Sequence, residues 1–438
     1  MLLAVVIICL MILLPTNVKA SPKTIIVPDD CQTVTSAIAM ATSGDTIVVK
    51  SGTYNERTLE INKALTISSE VPYQAKIMLH PPSHIINIWG ANVTQYDNCI
   101  TIQADNVKFS GFEIWSEGGD VSANGNQIQI ASNTFDSQTH IQLEITGNGS
   151  QAVNNTLSNL VITGTNQIAA YNSVGSITVS GSSNVAANNI VGDLSLIGSN
   201  SSIIGNSIGG RIQLDNADFN QIINNTIITS GTVGILLGFD QPPKGGSYNV
   251  FAGNIVEGAK LWGVLLGKGN YNVFYGNLIA NNGGLGHDGY GLAIGGNHLE
   301  VNNNLFYQNI FINNSKNFAT NWEVIGSNFF DNGTIGNYWD DYLTKYPDAT
   351  QIGNSGIGNT PYLVYGNISD NFPLLTKPNI PPIDVPIQSL LNSTASPNAT
   401  SAVPELPWMV IVPLLLSVFS VALMPKHRKT VKLSKINE

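Results

Sequence analysis

Asn133-Thr134-Phe135, Asn155-Thr156-Leu157, Asn188-Asn189-Ile190-Val191, Asn206-Ser207-Ile208, Asn225-Thr226-Ile227-Ile228, Asn254-Ile255-Val256, Asn277-Leu278-Ile279, Asn309-Ile310-Phe311 and Asn328-Phe329-Phe330 restate one unit: an asparagine followed by apolar residues. Measured from Asn133, with Asn189 as the mark in the third unit, the intervals are 22, 34, 17, 19, 29, 23, 32 and 19 residues. A second echo runs in register with the first. Gly234–Gly238 (GILLG), Gly263–Gly267 (GVLLG) and Gly291–Gly295 (GLAIG) recur 29 and 28 residues apart. Loose self-similarity on this scale, without helical periodicity, is what stacked coils of short strands produce. The reading is an all-β chain, a solenoid with Ile, Val, Leu and Phe facing inward and Gly and Asn at turns that need left-handed backbone angles. Asparagines repeated at one corner of successive coils can hydrogen-bond one above another, as amide ladders do in cross-β stacks. That gives them an architectural role.

Composition agrees. Charged residues make up only 11% of the 438, and there are 42 glycines. Arg211 is the sole basic residue between Lys108 and Lys244. No basic stripe exists to neutralise phosphates, which excludes nucleic-acid binding.

The two ends differ from the middle. Residues 1–20 contain an apolar run, Leu2 to Leu14, then Pro15 and a small-residue end at Ala20, the pattern of a secretory signal. An uncleaved anchor is the alternative, because no basic residue precedes the run. Residues 407–425 form an apolar segment followed by a basic tail, 426–438, as in a transmembrane anchor with its C-terminus inside. A Pro/Ser/Thr-rich stretch, 376–406, reads as an extended stalk. Setting aside Lys19, Glu438 and the five basic residues of the tail, 13 basic residues face 28 acidic ones, about −15 for the exported part. The expected location is the extracellular side of a membrane. Of the sequons, Asn392 and Asn398 in the stalk are the candidates for glycosylation. Cys31 and Cys99 are either two buried thiols or a disulfide pair.

The solenoid domain is expected over 21–375. Its N-terminal cap, 24–44, places Cys31, Val34 and Ile38 on one face of a short helix that closes the open end. Pro72, Pro81 and Pro82 interrupt the pattern, so 71–100 reads as an insertion carrying His80, His84 and Trp89. The aromatic residues Tyr248, Tyr271, Tyr275, Phe306 and Tyr307 read as a structural stack, with sugar recognition as the other reading. An irregular segment, 331–375, folds back over the C-terminal opening.

These features carry a family likeness. The opening from Val27 through Ile67, the repeats, and the closing motifs Gly336–Tyr342, Gly356–Val364 and Asp370–Leu375 together resemble the NosD-like right-handed parallel β-helix proteins of the pectin-lyase-like superfamily. The repeats resemble those of carbohydrate-binding and sugar-hydrolase coils, and the closing and C-terminal motifs resemble archaeal surface proteins. The resemblance implies a right-handed parallel β-helix. It implies either a surface role, a polysaccharide lyase, hydrolase or epimerase activity, or copper-site maturation. Relatives carry aspartates in the closing block that suit calcium; here Asn354, Ser355 and Asn359 stand in that stretch, and Asp340, Asp341 and Asp348 are the remaining calcium candidates.

Copper would require clustered Cys, Met or His. His80 and His84 lie beside prolines without a third soft ligand, and His287 and His298 are eleven residues apart. Glycoside or uronate chemistry requires carboxylates, or a carboxylate with a basic partner, converging across coils. The candidates are Arg211, Asp215 and Asp218 on one coil, and His287, Asp288 and Tyr290 in a glycine-rich loop. Neither set forms a carboxylate ladder. The expected function is therefore non-catalytic: an anchored β-helix presenting an elongated face to glycan or envelope proteins. The alternative is a polysaccharide-active enzyme, and a copper-site factor comes last. Function is expected where the repeat breaks, near 71–98, 281–300 and 331–370.

Overall fold

A computed structural model describes residues 21–136, 140–238, 245–284, 289–295, 301–319 and 326–387. The expected signal (1–20), most of the stalk, the anchor (407–425), the basic tail, and the residues His287, Asp288, His298, Asn392 and Asn398 lie outside the described residues. Among those described, no helix is long and apolar enough to cross a membrane.

The chain winds as a parallel β-helix. One face is a 13-stranded parallel sheet whose order in space is its order in sequence, from Thr24–Val27 to Leu305–Tyr307. The remaining faces form a second, 22-stranded sheet. In three coils a single ten-residue strand bends across both of them: Thr156–Thr165, Ser173–Ser182 and Ile190–Ser199. Alternation puts one residue of each three-residue strand into the core. Register then stacks like on like, and Ala169, Ala186, Ile203, Ile222, Phe251, Phe274 and Phe306 form one continuous inner column. The phenyl rings in it lie face to face, with centroids 4.3 Å apart for Phe251–Phe274 and 4.8 Å for Phe274–Phe306. Tyr275 and Tyr307 stack as well, at 5.4 Å.

The repeated asparagines are the corners. Asn133, Asn155, Asn172, Asn189, Asn206, Asn225, Asn254, Asn277, Asn309 and Asn337 form one buried column. In each, the backbone N–H and the side-chain Nδ2 both donate to Oδ1 of the next asparagine, at 2.9–3.2 Å between Asn133 and Asn277. The other Nδ2 proton goes to a backbone carbonyl of the coil before, as from Asn225 to Ile203 at 2.9 Å. The 34-residue interval is two coils of 17, joined through Asn172, which the opening pattern passes over. A second column at another corner runs through Ser150, Gln167, Asn184, Ser201, Asn220, Asn249, Asn272, Asn304 and Asn328. Asn328, the last mark in the sequence pattern, belongs to this second column.

Both ends are closed. A helix over Val34–Met40 buries Val34, Ala37 and Ile38 against the first coil, with Thr33 as its N-cap. The Glu56 carboxylate accepts from the Val34 N–H (2.7 Å) and the Thr35 hydroxyl (2.6 Å) at the same end. Cys31 and Cys99 are free thiols. Only Cys99 is buried, and burial pushes its pKa up to about 12. The 71–100 stretch is only partly an insertion. Ala75–Leu79 is a rung paired on both sides, while Ser83–Ile88 and Ala91–Tyr96 make an antiparallel hairpin that stands out of the coil.

At the far end, Tyr338–Trp339 adds to Ile310–Phe311, and Trp339 lies between Phe311 and Tyr362, with ring centroids at 4.4 and 4.5 Å. The asparagine column stops on Asp370, whose Oδ2 accepts from the Asn337 N–H (2.7 Å) and Trp339 Nε1 (2.9 Å).

Residues 376–387, expected as the start of a free stalk, instead lie against the flank of the helix. The Ile383 backbone pairs with the Asn224 side chain (2.6 and 3.0 Å). Ile383 and Val385 cover Ile223, Val250 and Ala252, and Ile387 covers Ile168, Ala170, Val185 and Ala187.

Two outcomes test this frame. Asn225→Ala leaves the Ile203 carbonyl and both Asn206 donors without partners in a buried corner, and should cost about 3 kcal/mol. Asn200→Gly, at an exposed corner, should stay within ~0.5 kcal/mol; urea midpoints compare the two. The second concerns Asp370. Burial raises its pKa to about 7, although the Asn337, Trp339 and Phe372 donors pull the other way. The folded state therefore holds this proton more tightly than the unfolded chain, whose carboxyl keeps an ordinary value of about 4. The resulting stabilisation is complete below about pH 4 and is lost as pH rises through about 7, with a slope of at most ~1.4 kcal/mol per pH unit. Asp370→Asn should flatten the profile in that window, and an unchanged slope would refute the assignment.

Candidate functional site

Coils of 17 residues have no material to spare beyond strands and corners. From Asn206 to Asn309 the coils lengthen to 19, 29, 23 and 32 residues. There three successive coils line a cleft of about 280 Å³: Asn216 and Asp218 from the first, Gly245, Gly246 and Ser247 from the second, Lys268, Gly269 and Asn270 from the third. Two glycines let the backbones meet at its floor. A Cβ on Gly246 would lie 1.9 Å from the Ala217 carbonyl oxygen, and one on Gly269 would lie 2.0 Å from that of Gly246.

A polar column runs through the cleft. Asp218 Oδ1 accepts from the Ser247 N–H (2.7 Å), Ser247 Oγ from the Asn270 N–H (3.1 Å), and Asn270 Oδ1 from the Asn302 N–H (2.7 Å). Each side chain is thus held by the backbone of the next coil, which fixes its position without consuming all its capacity. The second Asp218 oxygen, the Ser247 hydroxyl hydrogen and the Asn270 amide group keep bonds to offer. Lys268 lines the same space. A carboxylate, an amine and two amides arriving from three coils can bind hydroxyls and move a proton.

Of the residues singled out in the sequence that lie among the described ones, Asp218 lines the cleft and the others fall elsewhere. Arg211, Asp215 and Asp218 do not join. The Arg211 N–H donates to Asp193 (2.9 Å), Asp215 accepts from Gln213 Nε2 (2.7 Å), and Asp218 faces the cleft. Tyr290 opens the strand Tyr290–Ile294, with Lys316 Nζ 5.7 Å from its ring centroid. His80 Nδ1 lies 2.9 Å from Glu117, and His84 Nδ1 lies 3.9 Å from Asp97.

The calcium candidates do not fit a calcium cage. Asp340 accepts from the Asn313 N–H and Asn317 Nδ2 (2.6 and 2.8 Å), Asp341 from Asn317 Nδ2 and the Tyr362 hydroxyl (both 3.0 Å), and Asp348 is exposed away from this network. Among the described residues no three His, Cys, Asp or Glu side chains are placed to hold a metal ion.

Lys268, Ser247, Asn216 and Asn270 were not singled out. Their signal was the echoed glycine that ends GILLG and GVLLG, followed in the second copy by a lone lysine.

No family model matches the chain. No curated protein matches it either. Solved structures do. A mannuronic acid specific polysaccharide family 6 lyase from human gut microbiota matches at 14% identity and a TM-score of 0.48, over 68% of this chain and 83% of that one. The A-module of the Azotobacter vinelandii mannuronan C-5 epimerase AlgE6 matches at 12% identity and a TM-score of 0.46, over 68% and 92%. The Dettilon tailspike protein matches at 12% and 0.42, over 70% and 68%. At these identities the likeness is one of fold.

The expectation of a non-catalytic display protein is corrected here. The surface holds a convergence found in neither candidate set: Asp218 and Lys268 line one cleft. The two residues are 50 positions apart in sequence, and only the winding of the coils brings them together.

Proposed function

We propose that the chain is a polysaccharide-active enzyme and that the Asp218–Lys268 cleft is its active site. The observation that carries this reading is the meeting of a carboxylate and an amine from coils two turns apart in one recess, the combination that chemistry on an acidic sugar requires. Among sugars, a uronate offers an acidic carbon: the proton beside its carboxylate. In this reading Lys268 handles that proton. The free oxygen of Asp218 and the amides of Asn216 and Asn270 hold the sugar hydroxyls, so the reacting carbon stays within reach. Elimination and epimerisation share this first step. They differ in whether the glycosidic oxygen then leaves or the proton returns from the opposite face.

Incubation of the full chain with alginate and with polygalacturonate, following unsaturated and reducing ends and exchange of the carbon-bound proton, tests the reading. Lys268→Ala should lower kcat by at least ~100-fold, the range for loss of a proton-transfer group. Asp218→Asn keeps an oxygen for the Ser247 N–H and should lose about tenfold. Undiminished turnover in Lys268→Ala would remove the cleft as the active site. Loss in His287→Ala and Asp288→Ala instead would place the chemistry in the glycine-rich loop.

A further inference from the structure

Asp218, Ser247 and Asn270 are each followed by an aromatic residue: Phe219, Tyr248 and Tyr271. These three have left-handed backbone angles, φ of 59°, 60° and 58°. They occupy one corner column, because the Phe219 N–H donates to the Ser247 carbonyl and the Tyr248 N–H to that of Asn270. Continued in both directions, the same column holds Asn106, Gln127, Asn166, Ser183 and Asn200 on earlier coils and Asn303 on a later one, all at positive φ. Asparagine takes this conformation at little cost, whereas bulky side chains seldom adopt it. The corner therefore does not call for rings, and it carries them only where the cleft is.

The rings are also exposed: Phe219 by 55%, Tyr248 by 48% and Tyr271 by 44%. They lie parallel, with centroids 4.8 and 5.0 Å apart and planes 3° apart. Stacked face to face, the rings present their edges to solvent. Every coil of the cleft thus presents an apolar ring beside a polar side chain that still has a bond to offer. A sugar chain has the matching surface, C–H patches alternating with hydroxyls, and aromatic side chains with a polar tip suit such a surface. A lipid surface would leave the row of Asp218, Ser247 and Asn270 that accompanies the rings without partners.

We infer that the Phe219–Tyr248–Tyr271 ladder is a sugar-binding platform that holds a polysaccharide along the coil axis beside the cleft. The inference rests on the reading of the cleft as a polysaccharide site, and it adds where the chain lies and what grips it. The platform acts on binding and leaves the chemical step to the cleft.

The test replaces all three rings by asparagine, the residue that the column uses elsewhere, so the coil geometry is kept. Tyr171→Asn is the control: Tyr171 is an exposed aromatic at positive φ on a different corner. Full chains are run through native gels containing alginate, polygalacturonate or a neutral β-glucan, and KM and kcat are measured on any polymer turned over. The expected result is at least a tenfold loss of retention, with KM raised and kcat little changed, for the triple variant alone. Retention equal to the parent, equal loss in Tyr171→Asn, or no retention of the parent by any of the three polymers overturns the platform. Lys268→Ala separates the two ideas. A variant that is retained but inactive supports both, whereas retention that depends on the rings with unchanged turnover in Lys268→Ala keeps the platform and removes the catalytic assignment.

Discussion

The structure depends on a single repeated contact: one asparagine amide receiving two hydrogen bonds from the coil before it. A buried amide without partners costs on the order of 1–3 kcal/mol. A column of ten is therefore tolerable only if every coil returns its corner to the same place. That requirement fixes the pitch at the strand spacing of about 4.8 Å, and inward residues in register then stack as Ala on Ala or Phe on Phe without a separate device. Each coil is bound to its neighbours and to little else, so stability is close to a sum over coils and their contacts.

The same constraint decides where variation is allowed. Strands and corners cannot lengthen without breaking a column, and 17 residues suffice for a turn. Coils of 29 or 32 residues must send the surplus outward between the fixed points. The cleft lies beside that surplus, and its floor is made of backbones so close that Gly246 and Gly269 cannot carry a side chain. Rigidity and access come from the same economy. The columns hold Asp218, Ser247 and Asn270 at one spacing, and the extra residues leave a recess in front of them.

Much of the fold was legible because its determinant is periodic. The asparagine-plus-apolar unit revealed corners and core, and the spacing of Cys31, Val34 and Ile38 read as one face of a capping helix, although the helix begins at Val34 and leaves Cys31 outside it. The second column was harder to read, since Ser150, Gln167 and Ser201 replace asparagine and only the hydrogen-bond role is conserved along the column. The docked segment was misread because its prolines suggest an extended stalk; the signal was the spacing of Ile380, Ile383, Val385 and Ile387, which matches an apolar flank. Of the site, only Asp218 was legible. Lys268 meets it through the winding of two coils whose lengths differ, and no local pattern encodes that meeting.

The last residue of the column explains why the stack ends where it does. Every asparagine in it donates in the C-terminal direction and accepts from the N-terminal side, so the series has a polarity and finishes with donors in need of an acceptor. A further asparagine would pass the same need onward. Asp370 accepts from the Asn337 and Trp339 donors with one oxygen and from the Phe372 N–H with the other, and has no side-chain N–H to place. A carboxyl is thus the group that closes the column, and Trp339 over Tyr362 keeps water from it. The exposed column at the cleft runs with the opposite polarity, each side chain accepting from the backbone N–H of the following coil. It begins at Asp218 and runs through Ser247 and Asn270 in the accepting sense, which leaves donors free on two of its members and a carboxylate oxygen free on the first. The register that stacks the coils thus also sets the spacing of the donors and acceptors that a bound sugar would meet.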